Sequence, residues 1–386
     1  MKWRRIRHLI VSVALVLPLT AISPAAAVTP RPASGPACEP WAGVQPPNPG
    51  GLNDVLEGVT VQSGCDAWAV GNYRDSANTV YRSLIVRWNG SSWQQVKSPN
   101  PNAATSDNEF FGVTATSPRD AWAVGLTQQM PSEVSSVLIA RWNGHSWRQQ
   151  PSPSLPSDGA LFSVTAFSTR DAWAVGSAFP GTLIEHWNGT RWSIARIQGP
   201  SLRGGVLAGV AATSPRDAWA AGIVGGSLSH TLLVHWNGKT WRRVPSPDPA
   251  GPAGINIVRG IAATAPANAW AVGVDRPGAH YRTMILHWNG TAWKVVPSPN
   301  PAGPAAENVL FAVTAASSND AWAVGDTFTE SGHRGLLVLH WNGRTWHNVP
   351  VASTPDDEFT AVDASSATNA WLVGEQDGHT LALHCC

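Results

Sequence analysis

The sequence predicts an all-β fold, a seven-bladed β-propeller of four-stranded antiparallel blades. A segment of the type Asp-Ala-Trp-Ala-Val-Gly recurs at intervals of 54, 51, 46, 51, 52 and 49 residues, starting at Asp66, Asp120, Asp171, Asp217, Asn268, Asp320 and Asn369. Each copy except the last is followed by Trp-Asn-Gly-x-x-Trp, starting at Trp88, Trp142, Trp187, Trp236, Trp288 and Trp341. Repeats of about 40 to 50 residues are typical of propeller blades.

Within the third repeat, four short segments rich in Val, Ile, Trp and Thr predict strands over 161–166, 172–177, 183–187 and 192–197. The turn at Asn188-Gly189 supplies two residues that tolerate the left-handed backbone of a tight hairpin. Each repeat is therefore predicted to be a four-stranded meander. Because one meander cannot bury both of its faces, seven of them are expected to stack around an axis.

The tryptophans are predicted to form the core between blades. Nineteen of the 21 tryptophans fall in the two repeated signatures. Trp173 and Val175 share one face of their strand, and the small side chains on the other face let the next blade approach. A platform for a ligand would not need the same aromatic residue in every blade, so we favour core packing.

The two ends of the repeat region are predicted to meet in one blade. The seventh repeat stops at Cys386, where the other repeats begin a fourth strand. Residues 38–50 resemble the missing piece. Trp41-Ala-Gly-Val followed by Gln-Pro-Pro-Asn-Pro-Gly matches Trp293-Lys-Val-Val followed by Pro-Ser-Pro-Asn-Pro-Ala-Gly. The N-terminal strand should therefore complete the last blade and close the ring.

The four cysteines are predicted to lock this closure, since an even number of cysteines in an exported chain favours disulfides. Cys38 should bond one of Cys385 and Cys386, and Cys65 should bond the other. The sequence leaves open which of the two pairings forms. The alternative is free or locally paired thiols.

The predicted domain organisation is a signal peptide over residues 1–27, a flexible lead-in over 28–37 and the propeller over 38–386. We therefore expect a secreted protein, and the apolar run, interrupted by Pro18, is too short for a membrane anchor. Without the four basic residues of the signal, 22 basic residues face 25 acidic ones. This balance argues against nucleic acid and anionic membranes as partners, and we expect no membrane insertion and a monomer.

The Trp-Asn-Gly-Thr-Arg-Trp turn that ends at Trp192, and its counterparts in other repeats, resemble the turn between the third and fourth strands of the BNR (Asp-box) propeller superfamily. The Ala-Trp-Ala-Val-Gly strand is similar to the second strand of the photosystem II assembly-factor propellers within that group. This resemblance covers nearly all of the chain after the predicted signal. It implies a propeller fold of a secreted bacterial type.

A column of basic residues precedes the first Trp of the second signature: Arg87, Arg141, His186, His235, His287, His340 and, before Cys385, His384. Each lies in a different blade, so no two are expected to reach one metal ion. We predict instead that each pairs with the Asp or Asn that opens the preceding strand. No metal, cofactor or catalytic residue is predicted.

Any binding is predicted on the face of the ring that carries the loops of variable length, because repeated scaffolds concentrate function there. The candidate ligand-binding residues are Tyr73, Arg74, Tyr81, Arg82, Arg276, His280, Tyr281, Arg282, Phe328, His333 and Arg334. Acidic residues that could surround the channel mouth are Asp54, Asp107, Glu109, Asp158, Glu307, Asp357 and Glu358. Their alternative role is to cap turns before the innermost strands.

The predicted function is non-catalytic binding of an extracellular glycan or protein through this face. The first alternative is a glycan-cleaving enzyme, a glycoside hydrolase or lyase on a sialidase-like scaffold. The second alternative is a purely structural, envelope-associated protein. The sequence has no phosphate-binding glycine loop and no catalytic Ser motif, so we disfavour catalysis.

Overall fold

The computed structural model describes residues 41–51, 53–74, 80–199, 202–225, 228–329, 332–352, 354 and 357–385. The described residues form 29 strands in seven sheets and no helix, which confirms the predicted seven-bladed propeller. The predicted signal peptide and lead-in lie outside the described residues, as do Cys38 and Cys386.

The strands of each blade are given from the propeller axis outward; in blades 1 to 6 the four strands follow chain order, and in blade 7 the outermost strand comes from the N-terminal end of the described chain. Blade 1 contains β2 (Val55–Ser63), β3 (Asp66–Arg74), β4 (Tyr81–Trp88) and β5 (Trp93–Gln95); blade 2 contains β6 (Ser106–Ser117), β7 (Asp120–Gln129), β8 (Val134–Trp142) and β9 (Trp147–Gln150). Blade 3 contains β10 (Gly159–Ser168), β11 (Asp171–Ala178), β12 (Gly181–Trp187) and β13 (Trp192–Ile194). Blade 4 contains β15 (Val206–Ser214), β16 (Asp217–Gly225), β17 (Ser229–Trp236) and β18 (Trp241–Val244), with β14 (Ile197–Gln198) added in parallel at its outer edge.

The remaining three blades follow the same order and complete the ring. Blade 5 contains β19 (Ile255–Ala265), β20 (Asn268–Arg276), β21 (Arg282–Trp288) and β22 (Trp293–Val296); blade 6 contains β23 (Glu307–Ser317), β24 (Asp320–Phe328), β25 (Arg334–Trp341) and β26 (Trp346–Asn348). Blade 7 contains β27 (Glu358–Ser366), β28 (Asn369–Gln376), β29 (His379–Cys385) and β1 (Ala42–Gly43). The innermost strands contact one another in sequence, and β2 contacts β27.

Short turns of nearly uniform sequence occupy one face of the ring, which we call the hairpin face. It carries the turns between the first and second and between the third and fourth strands of each blade. In blade 3, Asn188 Oδ1 accepts the backbone N–H groups of Thr190 and Arg191, both at 3.0 Å, and Gly189 has a φ of 93°. Only glycine adopts this backbone readily, so the Asn-Gly pair fixes the hairpin. The opposite face, which we call the variable face, carries the other loops.

The tryptophans fill the seams between blades, as predicted. Trp68 of blade 1 lies 5.0 Å from Trp142 and 5.2 Å from Trp147 of blade 2, measured between ring centroids. The same triad recurs at the next seams, for example between Trp219 and the pair Trp288 and Trp293. Tilted and edge-to-face contacts at these distances stabilise aromatic clusters beyond simple burial.

The basic column also pairs as predicted. His186 Nε2 lies 2.8 Å from Asp171 Oδ1, and Arg87 Nε donates to Asp66 Oδ1 at 2.8 Å. Every member of the column makes the corresponding pair. Each basic side chain also lies over the seam Trp of its own blade, with the His186 and Trp173 centroids 4.0 Å apart. The column is therefore structural.

The N-terminal strand completes blade 7. Ala42 pairs with His384, and Trp41 packs against Trp322 at 5.4 Å, as the second Trp of the other seams does. Asn48 Oδ1 accepts the Thr380 N–H at 2.7 Å, and Asn100 makes the equivalent bond to Ser83 at 2.8 Å. The ends of the described chain therefore meet in one sheet.

A buried carboxylate also joins the first and last blades at the axis. Asp363 of β27 accepts the Val61 N–H of blade 1 at 2.7 Å and the Thr314 hydroxyl of blade 6 at 2.9 Å. Burial raises the pKa of Asp363, and its hydrogen bonds oppose this shift. One side chain therefore bridges three blades at the closure.

The disulfide predicted for Cys65 does not form: Cys65 is a free, exposed cysteine. The reason is geometric, because the residue before the opening Asp or Asn lies over the turn Gly of its own blade. A Cβ on Gly90 would lie 3.4 Å from Cys65 Sγ. Cys65 therefore sits over the hairpin of blade 1, one blade away from the closing hairpin at Cys385. The pairing of Cys38, which lies outside the described residues, remains a prediction.

Candidate functional site

The predicted site residues of blade 1 lie together at the start of its variable loop. Tyr73 pairs with Arg82 and Arg74 with Tyr81 in the register of β3 and β4. The Arg74 guanidinium lies 5.8 Å from the centroid of the Tyr81 ring. Contacts of this kind between a cation and an aromatic face order both side chains at the surface.

In blade 5 the predicted binding residues mostly make contacts within the protein. Tyr281 is buried in an apolar cluster, its backbone N–H donates to Glu307, and Arg276 lies 4.9 Å from its ring. His280 Nδ1 lies 3.3 Å from Glu307 Oε1, while Arg282 pairs with Asp275 at 2.6 Å. The Tyr281 side chain is therefore buried and supports the loop.

In blade 6 the guanidinium of Arg334 joins two carboxylates. It lies 2.6 Å from Asp326 and 2.7 Å from Glu358 of blade 7. Burial raises the pKa of Asp326, and the nearby Glu358 adds to the shift, while Arg334 opposes it. Phe328 lies under the same guanidinium at 5.0 Å, and His333 closes the loop by donating its backbone N–H to Thr329 Oγ1 at 3.2 Å. Arg334 thus ties blade 6 to blade 7.

Five of the seven predicted acidic residues act as caps, the alternative role given by the sequence. Asp54 accepts hydrogen bonds from the N–H groups of Gly50 and Gly51, and Asp357 accepts them from the backbone N–H and the hydroxyl of Thr354. Three others accept an N–H group at the third strand of the preceding blade, Asp107 from Tyr81, Asp158 from Ser135 and Glu307 from Tyr281. The other two lie in innermost strands, Glu109 further along β6 than the cap Asp107 and Glu358 at the start of β27.

The mouth has a further layer that the sequence analysis missed. Every innermost strand contains a β-bulge opposite the Gly of the Ala-Trp-Ala-Val-Gly segment. The bulge explains this Gly, because a Cβ on Gly71 would lie 1.9 Å from the Val55 carbonyl oxygen. The bulged residues, one from each blade and together called the bulge ring, are Glu57, Phe111, Phe162, Ala208, Arg259, Phe311 and Thr360.

In two neighbouring pairs of the bulge ring, the side chains contact each other. The rings of Phe111 and Phe162 lie 5.7 Å apart, and the Arg259 guanidinium lies 5.0 Å from the Phe311 ring. Burial lowers the pKa of Arg259 to about 10, while the nearby Tyr281 and carboxylates oppose this shift. A signal in the sequence marks these residues, since the position changes from blade to blade while the flanking residues repeat.

The wall above the bulge ring is unequal around the axis. On blades 4 to 6 it is mostly apolar, with Val206, Ile223, Ile257, Val274 and Val309 in one cluster, and Asp326, which pairs with Val309, is buried. On blades 7, 1 and 2 it carries polar and acidic side chains, Glu358, Glu375, Asn72 and Glu109, of which Asn72 and Glu109 are buried. The repeat builds seven similar blades, yet the mouth has an apolar side and a more polar side.

The variable loops of blades 2, 3 and 4 add exposed apolar side chains. These are Met130 and Val134 in blade 2, Phe179 in blade 3 and Leu228 in blade 4. Isolated exposed apolar residues are common, but a group on adjacent loops of one face is typical of a binding surface. Among the described residues, no group of three or more His, Cys, Asp or Glu side chains could hold a metal ion, and no helix could cross a membrane.

The comparisons with known proteins agree with this architecture. No protein-family model and no curated protein matches the sequence. Among solved structures, "YCF48 bound to D1 peptide" is 16% identical with a TM-score of 0.57, over 91% of this chain and 97% of that one. U3-55K is 10% identical with a TM-score of 0.57, over 91% and 100%. The GH74 xyloglucanase from Xanthomonas campestris is 15% identical with a TM-score of 0.56, over 89% and 53%.

Identities this low show the fold alone. The expected similarity to photosystem II assembly-factor propellers therefore holds for the arrangement of blades. By sequence repeat, by strand order and by structural similarity, the chain is a seven-bladed β-propeller.

Proposed function

We propose that this chain is a secreted, non-catalytic propeller that binds an extracellular protein through the mouth of its variable face. The observation that carries the proposal is the bulge ring. Six of its seven positions differ from Ala, and they include one acid, one base and three phenylalanines on an otherwise repeated scaffold. Recognition of an asymmetric ligand requires asymmetry of this kind.

A protein segment suits the surroundings of the mouth better than a glycan. Met130, Val134 and Leu228 are exposed aliphatic side chains, which pack well against the apolar side chains of a protein and offer no flat face to a sugar ring; Phe179 of the same group has an aromatic face and could pack against either ligand. A peptide that enters the mouth would meet an apolar wall on blades 4 to 6 and a more polar wall on blades 7 to 2. The similarity in fold to a propeller bound to a peptide supports this choice.

Phe162→Ala tests the proposal without removing a residue that the fold requires, because blade 4 already has Ala208 at the same position. The control is Phe167→Ala, the same change in the same strand, at an exposed residue near the hairpin face. Peptides selected from a random display library against the wild-type protein serve as probes, and a glycan array is screened in parallel.

We expect Phe162→Ala to weaken the selected peptides about tenfold or more, as loss of an aromatic contact in an interface does, and Phe167→Ala to leave them unchanged. Equal effects of both changes would overturn the assignment of the mouth. Binding of glycans alone would replace the protein ligand with the glycan alternative. Turnover of fluorogenic glycosides would replace both with the enzyme alternative.

A further inference from the structure

One carboxyl group lies inside an apolar seam between blades. Glu185 of β12 is 0% exposed and pairs with Ala174, facing the core between blades 2 and 3. The equivalent residues of the other blades are all apolar: Val86, Ala140, Val234, Leu286, Leu339 and Leu383. Burial raises the pKa of Glu185 to about 7, and its hydrogen bond with Ser152 opposes the shift.

Glu185 holds a segment of the preceding blade. Ser152 Oγ donates to Glu185 Oε1 at 2.9 Å across the seam. In blades 1, 4 and 5 the equivalent serine bonds the third strand of its own blade, as Ser98 does with Ser83 at 2.8 Å. Blade 2 has Val137 at that position, so its serine bonds across the seam. Residues 150–158, which we call the strap, are therefore fastened to blade 3.

The far end of the strap holds two variable loops. Ser157 Oγ donates to the Phe179 carbonyl at 2.5 Å, and the Phe179 N–H donates to the Asp158 carbonyl at 3.1 Å. Asp158 Oδ1 accepts the Ser135 N–H at 3.2 Å. Phe179 lies in the variable loop of blade 3, and Ser135 follows the exposed Val134 at the start of β8 in blade 2. A change at Glu185 therefore reaches the proposed binding face through the strap.

The charged groups around Glu185 do not neutralise it. On its own sheet, Ala174 and Ile194 flank it, and His186 points to the opposite side, where it stacks on Trp173. In blade 2, Arg141 bonds Asp120 at the hairpin end of the seam, and Asp158 bonds Ser135 at the variable end. None of these groups contributes to the pKa of Glu185, whose causes are burial and the Ser152 bond.

We propose that the protonated carboxyl of Glu185 is a latch that keeps the strap against blade 3, and that loss of its proton to solvent loosens the strap and the two apolar loops. The latch would regulate the order of the loops at the proposed binding face. Its biological role rests on the proposed function, but the latch itself does not. A charged carboxylate without a cation in an apolar seam draws in water, which separates the packed surfaces. Acidic conditions should therefore order the loops and alkaline conditions should loosen them.

Hydrogen–deuterium exchange of the intact protein tests the latch without any ligand. Exchange of the strap and of residues 129–135 and 178–182 is compared between wild type and Glu185→Gln at about pH 5.5 and about pH 8.5, on either side of the carboxyl titration. Comparison at equal pH cancels the intrinsic pH dependence of exchange. The internal reference is 298–306 in blade 5, whose strap Ser298 bonds Thr283 of its own blade.

We expect equal protection of the two proteins at the acidic pH and about tenfold faster strap exchange in the wild type at the alkaline pH. Equal exchange at both pH values would overturn the latch. If Glu185→Gln fails to fold, Glu185→Leu provides the uncharged comparison, since blades 5 and 6 have leucine at this position. A protein that shows the latch but binds no peptide would contradict the proposed function alone.

Discussion

Replacing Trp219 with alanine should destabilise the propeller by about 4 to 5 kcal/mol. The side chain is 0% exposed, and its ring lies 4.9 Å from Trp288, 5.1 Å from Trp293 and 4.3 Å from His235. Buried Trp-to-Ala changes cost about 3 to 5 kcal/mol, and each lost aromatic pair adds about 0.5 to 1.5 kcal/mol, so the upper part of that range applies. The measurement is the free energy of unfolding from urea titration.

Two further variants test whether the stability lost on replacing Trp219 comes from its buried contacts with tryptophans. Val295→Ala, at an outer-strand residue that is 49% exposed, should change stability by less than about 0.5 kcal/mol. Trp322→Ala should cost about 1 kcal/mol less than the Trp219 change, because among the described residues Trp322 contacts one Trp of the next blade, Trp41, and Cys385 takes the place of the other. A loss below about 1 kcal/mol for Trp219 would show that the seam triads do not hold the blades together.

Three other outcomes are expected. The pKa of Glu185 is raised from 4.5 to about 7, so between these pH values the folded protein keeps a proton that the unfolded chain releases. The free energy of unfolding of the wild type, measured by urea titration, should therefore fall by about 3 kcal/mol relative to that of Glu185→Gln between pH 4.5 and 7. Asp363→Ala should cost about 3 kcal/mol, measured in the same way, since it leaves the Val61 N–H and Thr314 hydroxyl without their acceptor. Peptide mapping of the unreduced protein should find Cys65 alkylated and Cys38 linked to Cys385 or Cys386; a Cys65 crosslink would refute this.

The sequence was sufficient for the fold because its strongest signals describe local chemistry. The Asn-Gly turns, the Ala-Trp-Ala-Val-Gly strands and the His or Arg partners of each opening Asp act within one blade. The spacing of the repeats then sets the number of blades. The closure of the ring also followed from the sequence, because residues 41–50 repeat a pattern present elsewhere in the chain.

The candidate site was less accessible from the sequence because it depends on contacts between blades. Asp107, Asp158 and Glu307 look like a ring of charge when aligned, but each accepts an N–H group from the preceding blade. The bulge ring was missed because a strict two-residue alternation places Glu57 and Arg259 on an ordinary strand face. A bulge adds one residue and redirects the side chain toward the axis.

Because β1 pairs with β29, the first strand of the described chain to be synthesised is among the last to join its sheet. Six blades can form as their strands emerge, but blade 7 lacks its outer strand until the first and last described residues meet. Until then the seam around Trp322 exposes apolar surface that a chaperone or a second chain could contact. A circular permutant could join the two ends of the described chain and open the Asn188-Gly189 turn, so that every blade except blade 3 has a contiguous sequence. The last blade to be completed would then be blade 3, at a seam that has a complete tryptophan triad.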